Sequence, residues 1–313
     1  MKKMIKLFAL VLSAAAAVCT SGCTNPAIVF ENSDKYSAGD FATDGAVTAL
    51  DIDWTSGSIT IAHHGQKNVT VTETCNVSLN DEQKVQTWLD GTTLHVRYCK
   101  PGVSFNLSDA KKELEILLPD GMELDTLECD CTSADTTFTD ISAKTIAADL
   151  TSGTLQLSGC SAADFEIDST SGDVTVDQKG SADTLNVTGT SGKILVTAET
   201  VKTLKLHSTS GDTELSVQQS DSVSAESTSG NETLHFGAVP ASVNVDTTSG
   251  KAVLFVPGSA DFKVSVDSAS GKFDSDISLK KDGDTYTAGS GSNQIRIETT
   301  SGDIAIKAEG CPT

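Results

Sequence analysis

Carboxylates recur at one position of a repeating tripeptide. Three residues before the serine of each Thr-Ser-Gly, or near copy of it, stand Asp53, Asp130, Asp149, Asp168, Thr188, His207, Glu226, Asp246, Asp267 and Glu298. Eight of these ten side chains are acidic. Stacked at about 5 Å, neighbouring carboxylates in water repel by roughly 1 kcal/mol before salt screening. Such a ridge either recruits cations or a basic partner, or is a solvated face that discourages association of the sheet with other sheets. The candidate ligand or cation ridge is Asp130, Asp149, Asp168, Glu226, Asp246, Asp267 and Glu298. On the far side of the tripeptide, Asp135, Asp173, Asp212 and Asp303 alternate with Thr154, Lys193, Lys251 and Lys272. That alternation is not the glycine-rich aspartate pattern of calcium-binding β-rolls.

Other reactive side chains form no catalytic set. The threonine before each serine is present in nine copies and is Ala269 in the tenth; it is expected to form a hydrogen-bonded ladder supporting the corner. None of the serines sits in a Gly-x-Ser-x-Gly elbow, and no histidine recurs with them. His63 and His64 are adjacent, so on a strand their rings point apart. Cys129 and Cys131 fall on inward positions and read as small hydrophobic residues. Cys75, Cys99, Cys160 and Cys311 complete the cysteines after residue 23, with one or two bridges at most and no pairing assigned. No catalytic residue, metal site or cofactor is expected.

The elements that position these residues follow from the spacing. The serines are Ser56, Ser133, Ser152, Ser171, Ser191, Ser210, Ser229, Ser249, Ser270 and Ser301. From Ser133 to Ser270 they lie 19 to 21 residues apart, and longer gaps follow Ser56 and Ser270. Six and four residues before the serine, all twenty positions are apolar, from Leu50 and Ile52 to Ile295 and Ile297. Five after it, only Ser275 breaks a column running from Ile61 to Ile306. A spacing of two is the strand period, and the tripeptide between the arms shifts its phase as a sharp turn does. Neither arm can bury its face alone, but stacked repeats can. The expected fold is all-β, a single-stranded parallel β-solenoid of about ten coils over residues 46–310. Two residues before the serine the side chains are small in later copies, whereas earlier copies carry Trp54, Cys131 and Leu150.

Insertions are expected at 62–125 and 274–294. In the first, Val69-Thr-Val71, Leu94-His-Val96 and Lys112 to Ile116 alternate as strands. Residues 80–89 predict a short capped helix with Val85, Trp88 and Leu89 on one face. In the second, Lys281-Asp-Gly-Asp284 predicts a hairpin turn.

The chain opens with Lys2, Lys3 and Lys6, an apolar run from Leu7 to Val18, and Thr20-Ser21-Gly22-Cys23. This reads as a bacterial lipoprotein signal over 1–22, with Cys23 acylated, followed by a tether over 23–45. With 43 acidic against 22 basic residues the net charge is −21, and cleavage deepens it to −24 by removing the three lysines. A nucleic-acid partner would need a basic footprint. Such a chain is also repelled by anionic lipid, so a lipid on Cys23 rather than charge would hold it at a membrane. The expected location is extracytoplasmic, at the cell surface or membrane-anchored.

The repeated Thr-Ser-Gly-x-Ile/Val/Leu units, the entry Leu50-Asp-Ile52-Asp-Trp54-Thr-Ser-Gly57 and the ending Asn293 to Ile304 resemble a bacterial β-strand-repeat family. Its members are classed as candidate adhesins, related to adhesin-head repeat domains. The resemblance covers roughly 46–308. It implies the solenoid fold and assigns no reaction. The expected function is a non-enzymatic, surface-anchored module that binds a repetitive partner such as a glycan, or an envelope protein. Alternatives are a polysaccharide-degrading β-helix enzyme, for which only fold analogy speaks, and an accessory scaffold in cell-envelope stress signalling.

Overall fold

The structure is a computed structural model that describes residues 30–103 and 110–309. The expected signal, Cys23 and Cys311 lie outside the described residues. What is described is all-β apart from one 3-10 turn at Ser33–Lys35.

The arms pair as the alternation requires. Parallel ladders join Leu155–Ser171 to Val174–Ser191, then to Ile194–Ser210 and Thr213–Ser229. Their register places each repeat on the equivalent residue of the next: Phe165 on Leu185, Leu185 on Leu204, Leu204 on Val223. A slip of one residue would turn every inward side chain to water, so the apolar columns hold this register. The columns six and four before the serine are buried throughout except for half-buried Val266. Fully burying one such side chain stabilises the fold by about 1.5–3 kcal/mol, and each column repeats that contribution rung after rung.

Glycine at the corner has a physical cause. At Gly192 φ is +114°, and a Cβ there would lie 2.3 Å from the carbonyl oxygen of Gly172 on the neighbouring rung. Backbone approaches that close only where the side chain is absent.

The rungs do not follow chain order at the C-terminal end. Asn293–Ser301 pairs with Ser242–Ser249 on one side and Phe262–Ser270 on the other. Ile304–Ala308 likewise lies between Ala252–Val256 and Phe273–Ser275. The last repeat is therefore inserted into the stack, and the long gap after Ser270 is the chain needed to reach the end and return. Within it the expected hairpin forms, Lys280–Asp282 against Thr285–Ala288, and its second strand runs antiparallel along Phe262–Ser270.

The other end is also closed by antiparallel strands. Val69–Cys75 pairs with Lys112–Pro119, and Gln86–Asp90 with Thr93–Arg97. These cover parallel edges that would otherwise be open to another chain. Two expectations are corrected here. Residues 80–89 form no helix: Asn80 Oδ1 accepts from the amides of Glu82 and Gln83 at 3.0 and 3.1 Å, closing one turn. The chain then extends as Gln86–Asp90, because Gly91-Thr92 makes a tight hairpin turn with Gly91 at φ +61°. Residues 37–43, which fall within the expected tether, pair with strands instead. Ser37–Ala38 pairs with Gln86–Asp90 and Phe41–Thr43 with Val69–Cys75.

Candidate functional site

The acidic column lies on consecutive, hydrogen-bonded rungs. Asp53 stands opposite Asp130, Asp130 opposite Asp149, and Asp149 opposite Asp168. Thr188 and His207 follow, then Glu226 and Asp246. Because the last repeat is inserted, the order ends Asp246, Glu298, Asp267. All seven candidate residues thus share one outward row.

Their electrostatics differ along the row. Asp130 is pushed up to about 6 by partial burial and by Glu128, Asp149 and Asp53. Burial, then Asp168, also raises Asp149. At the other end Glu298 is held by its own strand, with Arg296 Nε 2.7 Å from its Oε1. In the middle, His207 Nδ1 lies 3.6 Å from Glu226 Oε2. Where Thr188 and His207 interrupt the acids there is a shallow depression lined by Glu166, Asn186, Lys205, His207 and Glu226 among others. It offers hydrogen-bond donors as well as acceptors.

The alternating column past the corner is structural. Lys193 donates its backbone N–H to Asp173 Oδ1 at 2.8 Å, Asn231 to Asp212 at 2.9 Å, and Lys272 to Asp303 at 3.0 Å. Each aspartate satisfies an amide of the next rung, which is why acids and other residues alternate. The threonine ladder is absent: among the described residues no threonine hydroxyl of that column bonds its neighbour, and all but half-buried Thr55 are exposed. Corner amides carry the support instead, as in Gly211 N–H to Ser229 O at 3.1 Å.

Cys75, Cys99, Cys129, Cys131 and Cys160 are all free thiols. Cys129 and Cys131 both point inward, with sulfurs 3.6 Å apart. The neighbouring Cys131 sulfur and complete burial push the Cys129 thiol well up, so it is a poor nucleophile. His63 Nδ1 meets Pro119 O at 2.8 Å and His64 Nε2 meets Asn68 O at 2.7 Å. The two rings serve different partners. Among the described residues no three His, Cys, Asp or Glu side chains group to hold a metal. No described helix is long and apolar enough to cross a membrane.

Two clusters escaped the sequence reading. In the first insertion, Lys112 is fully buried, with Nζ 2.5 Å from Glu73 Oε1 and 2.8 Å from Gln83 O, and also donating to Tyr98 O. The ammonium lies 4.1 Å from the Tyr98 ring centre and 5.0 Å from that of Trp54. Burial lowers Lys112 and raises Glu73 despite their pairing. Just outside, Asp51 Oδ2 meets His95 Nδ1 at 2.5 Å and Arg97 Nη2 at 2.7 Å. Trp88 stacks on His95 at 5.0 Å. Lys112 reads from sequence as one more alternating strand residue; only its inward parity between Glu113 and Lys111 signals burial. The second cluster surrounds Glu232, an acid in an otherwise apolar or threonine inward column.

A sheet of stacked corner repeats, capped at both ends and bearing an acidic row, defines an all-β repeat protein. The chain belongs to the Toastrack DUF4097 family, which it matches over residues 47–182 and 178–307. No curated protein matches it. Among solved structures it is similar to a candidate adhesin of Bacteroides fragilis, with 14% identity and TM-score 0.42, covering 86% of this chain and 96% of that one. A candidate lipid-binding protein of Parabacteroides distasonis shows 11% identity and TM-score 0.38, covering 87% and 97%. A candidate cell adhesion protein of Clostridium sporogenes shows 12% identity and TM-score 0.21, covering 87% and 100%. The assignment rests on the family match.

Proposed function

We propose that the chain is a ten-coil parallel β-solenoid, held at the cell surface by a lipid on Cys23, that adheres without catalysis to a repetitive partner such as a glycan. The observation that supports this is the in-register acidic row. Identical groups at a fixed rise of about 4.8 Å offer the same hydrogen-bond acceptor many times, and a polymer with repeating hydroxyls can use many of them at once. Individually weak contacts then add through effective concentration. The depression around Thr188 and His207 adds donors from Lys205 and Asn186 to that row.

The test uses the chain from residue 23 onward with Cys23→Ser, incubated with purified envelope polysaccharides and mucin-type glycans. Retention and new reducing ends are read in the same tubes. Retention without cleavage is expected. It should fall at least tenfold when Asp149, Asp168, Glu226 and Asp246 become Asn or Gln together. Retention that survives this replacement removes the ridge from the proposal. New reducing ends overturn the non-enzymatic reading, and no retention at all overturns the glycan in favour of an envelope protein.

A further inference from the structure

We propose that the interior seam around Glu232 holds a single alkali-metal cation. At each corner the residue two before the serine faces the residue three after it. Cys131 Sγ and Thr136 Oγ1 lie 3.4 Å apart in this way, and a Cβ at Gly189 would lie 3.0 Å from Ile194 Cδ1. Most rungs fill the gap with at least one large apolar side chain: Trp54 with Ile59, Leu150 with Leu155, Gly189 with Ile194, Thr299 with Ile304. Besides the lone rung of Cys131 with Thr136, three consecutive rungs do not. They carry Ser208 with Thr213, Ser227 with Glu232, and Thr247 with Ala252. Ile194 and Ile304 close this run on its two sides.

Within it Glu232 is 1% exposed, and its Oε2 has no hydrogen-bond partner. Ser227 Oγ and Thr247 Oγ1 are buried and unpartnered beside it, as are Thr299 Oγ1 and Ser268 Oγ on the two rungs that follow. By contrast Ser169 and Ser208 donate to Gly172 O and Gly211 O, each at 3.2 Å, so the unpartnered hydroxyls of this column begin at the rung of Glu232. A buried carboxylate with no partner costs several kcal/mol, and unpaired buried polar atoms in a native fold call for an explanation.

The donor set decides the ligand. It is all oxygen, which favours hard cations over transition metals. It contains one carboxylate inside the seam, so one positive charge balances it. Calcium takes six to eight oxygens, usually from several carboxylates. Asp246 and Glu226 lie on the outer side of the flanking strands and add negative potential. With burial as the larger cause, they push Glu232 up to about 8. A proton is therefore the cation's competitor.

The experiment measures thermal unfolding of the Cys23→Ser chain at pH 9, where the proton is largely gone. Chloride salts of sodium, potassium, calcium and choline are compared at equal ionic strength, after dialysis into choline. Sodium or potassium should raise the midpoint over choline by at least about 2 °C. Glu232→Gln, a near-isosteric change, should abolish the difference. So should Ala252→Leu, which fills the seam and leaves the carboxylate in place. Equal midpoints in choline and alkali salts overturn the proposal and leave the seam to protons or water. So does an alkali shift that persists in Glu232→Gln. A response to calcium alone overturns the monovalent assignment.

Discussion

The N-terminal end and the body of the stack solve the same problem differently. Both must cover apolar arms and satisfy backbone groups. The body does it by repetition: equivalent residues fall on one another, and any one rung is close to a copy of the next. The end has no next rung. It is closed by antiparallel strands and by residues that occur once, above all Lys112 with Glu73, held between Trp54 and Tyr98. Repetition spreads stability over many similar contacts, as expected of a quasi-one-dimensional stack. Closure concentrates it in a few.

The sharpest way to break that contrast is Lys112→Met. It leaves Glu73, with a side chain only 4% exposed, without its cation. Removing one partner of a buried ion pair costs about 3–5 kcal/mol, read by denaturant unfolding. Adding Glu73→Leu should recover much of the loss, because the uncompensated charge goes with it. If Lys112→Met is neutral, the end is not concentrated in this pair.

The body should answer more mildly to a change at one corner. Gly192→Ala forces a side chain into a positive-φ position and against Gly172 O. The strain should cost about 1–3 kcal/mol. Amide exchange should quicken on the rungs next to Gly192 and stay slow around Lys112. Loss spread evenly over the whole chain would show that the rungs are less independent than their repetition suggests.

The two regions were also unequally legible in sequence. The body could be read because its signal is summed: twenty apolar positions at two offsets leave few alternatives to stacked parallel arms. Even the acidic row followed from the same alignment. The end could not be summed, since each of its residues appears once. Val85, Trp88 and Leu89 fit a helical face, yet the Gly91-Thr92 turn and pairing with Thr93–Arg97 draw Trp88 and Leu89 into a strand that starts just after Val85. Insertion of the last repeat was invisible because its apolar pattern fits equally beside either neighbour. Glu232 was hidden by position: only the column three after the serine, otherwise apolar or threonine apart from it, marks that acid as buried.

The smallest expected effect separates the regions by sign. Asp130 and Asp51 sit on adjacent rungs, but Asp130 faces other acids while Asp51 faces Arg97 and His95. Asp130 is raised to about 6, against an unfolded value of about 3.9. Its folded form binds the proton more tightly, so its contribution is complete below about pH 4 and is lost as pH rises to about 6. Burial alone would raise Asp51 too, yet Arg97, and after it His95, hold it below the usual carboxylate range. Its contribution is present above its unfolded value and is lost as pH falls through the folded one. Asp130→Asn should therefore flatten a decline in stability between about pH 4 and 6, and Asp51→Asn should flatten a loss at lower pH. Midpoints measured across pH 2.5–7 at low salt read both slopes. Raising salt should shrink the Asp130 slope more, since that side chain is the more exposed and its like-charged neighbours are screened within about 10 Å at 0.1 M. Equal slopes of the same sign would mean that the acids of the end and of the body are not distinguished by their partners after all.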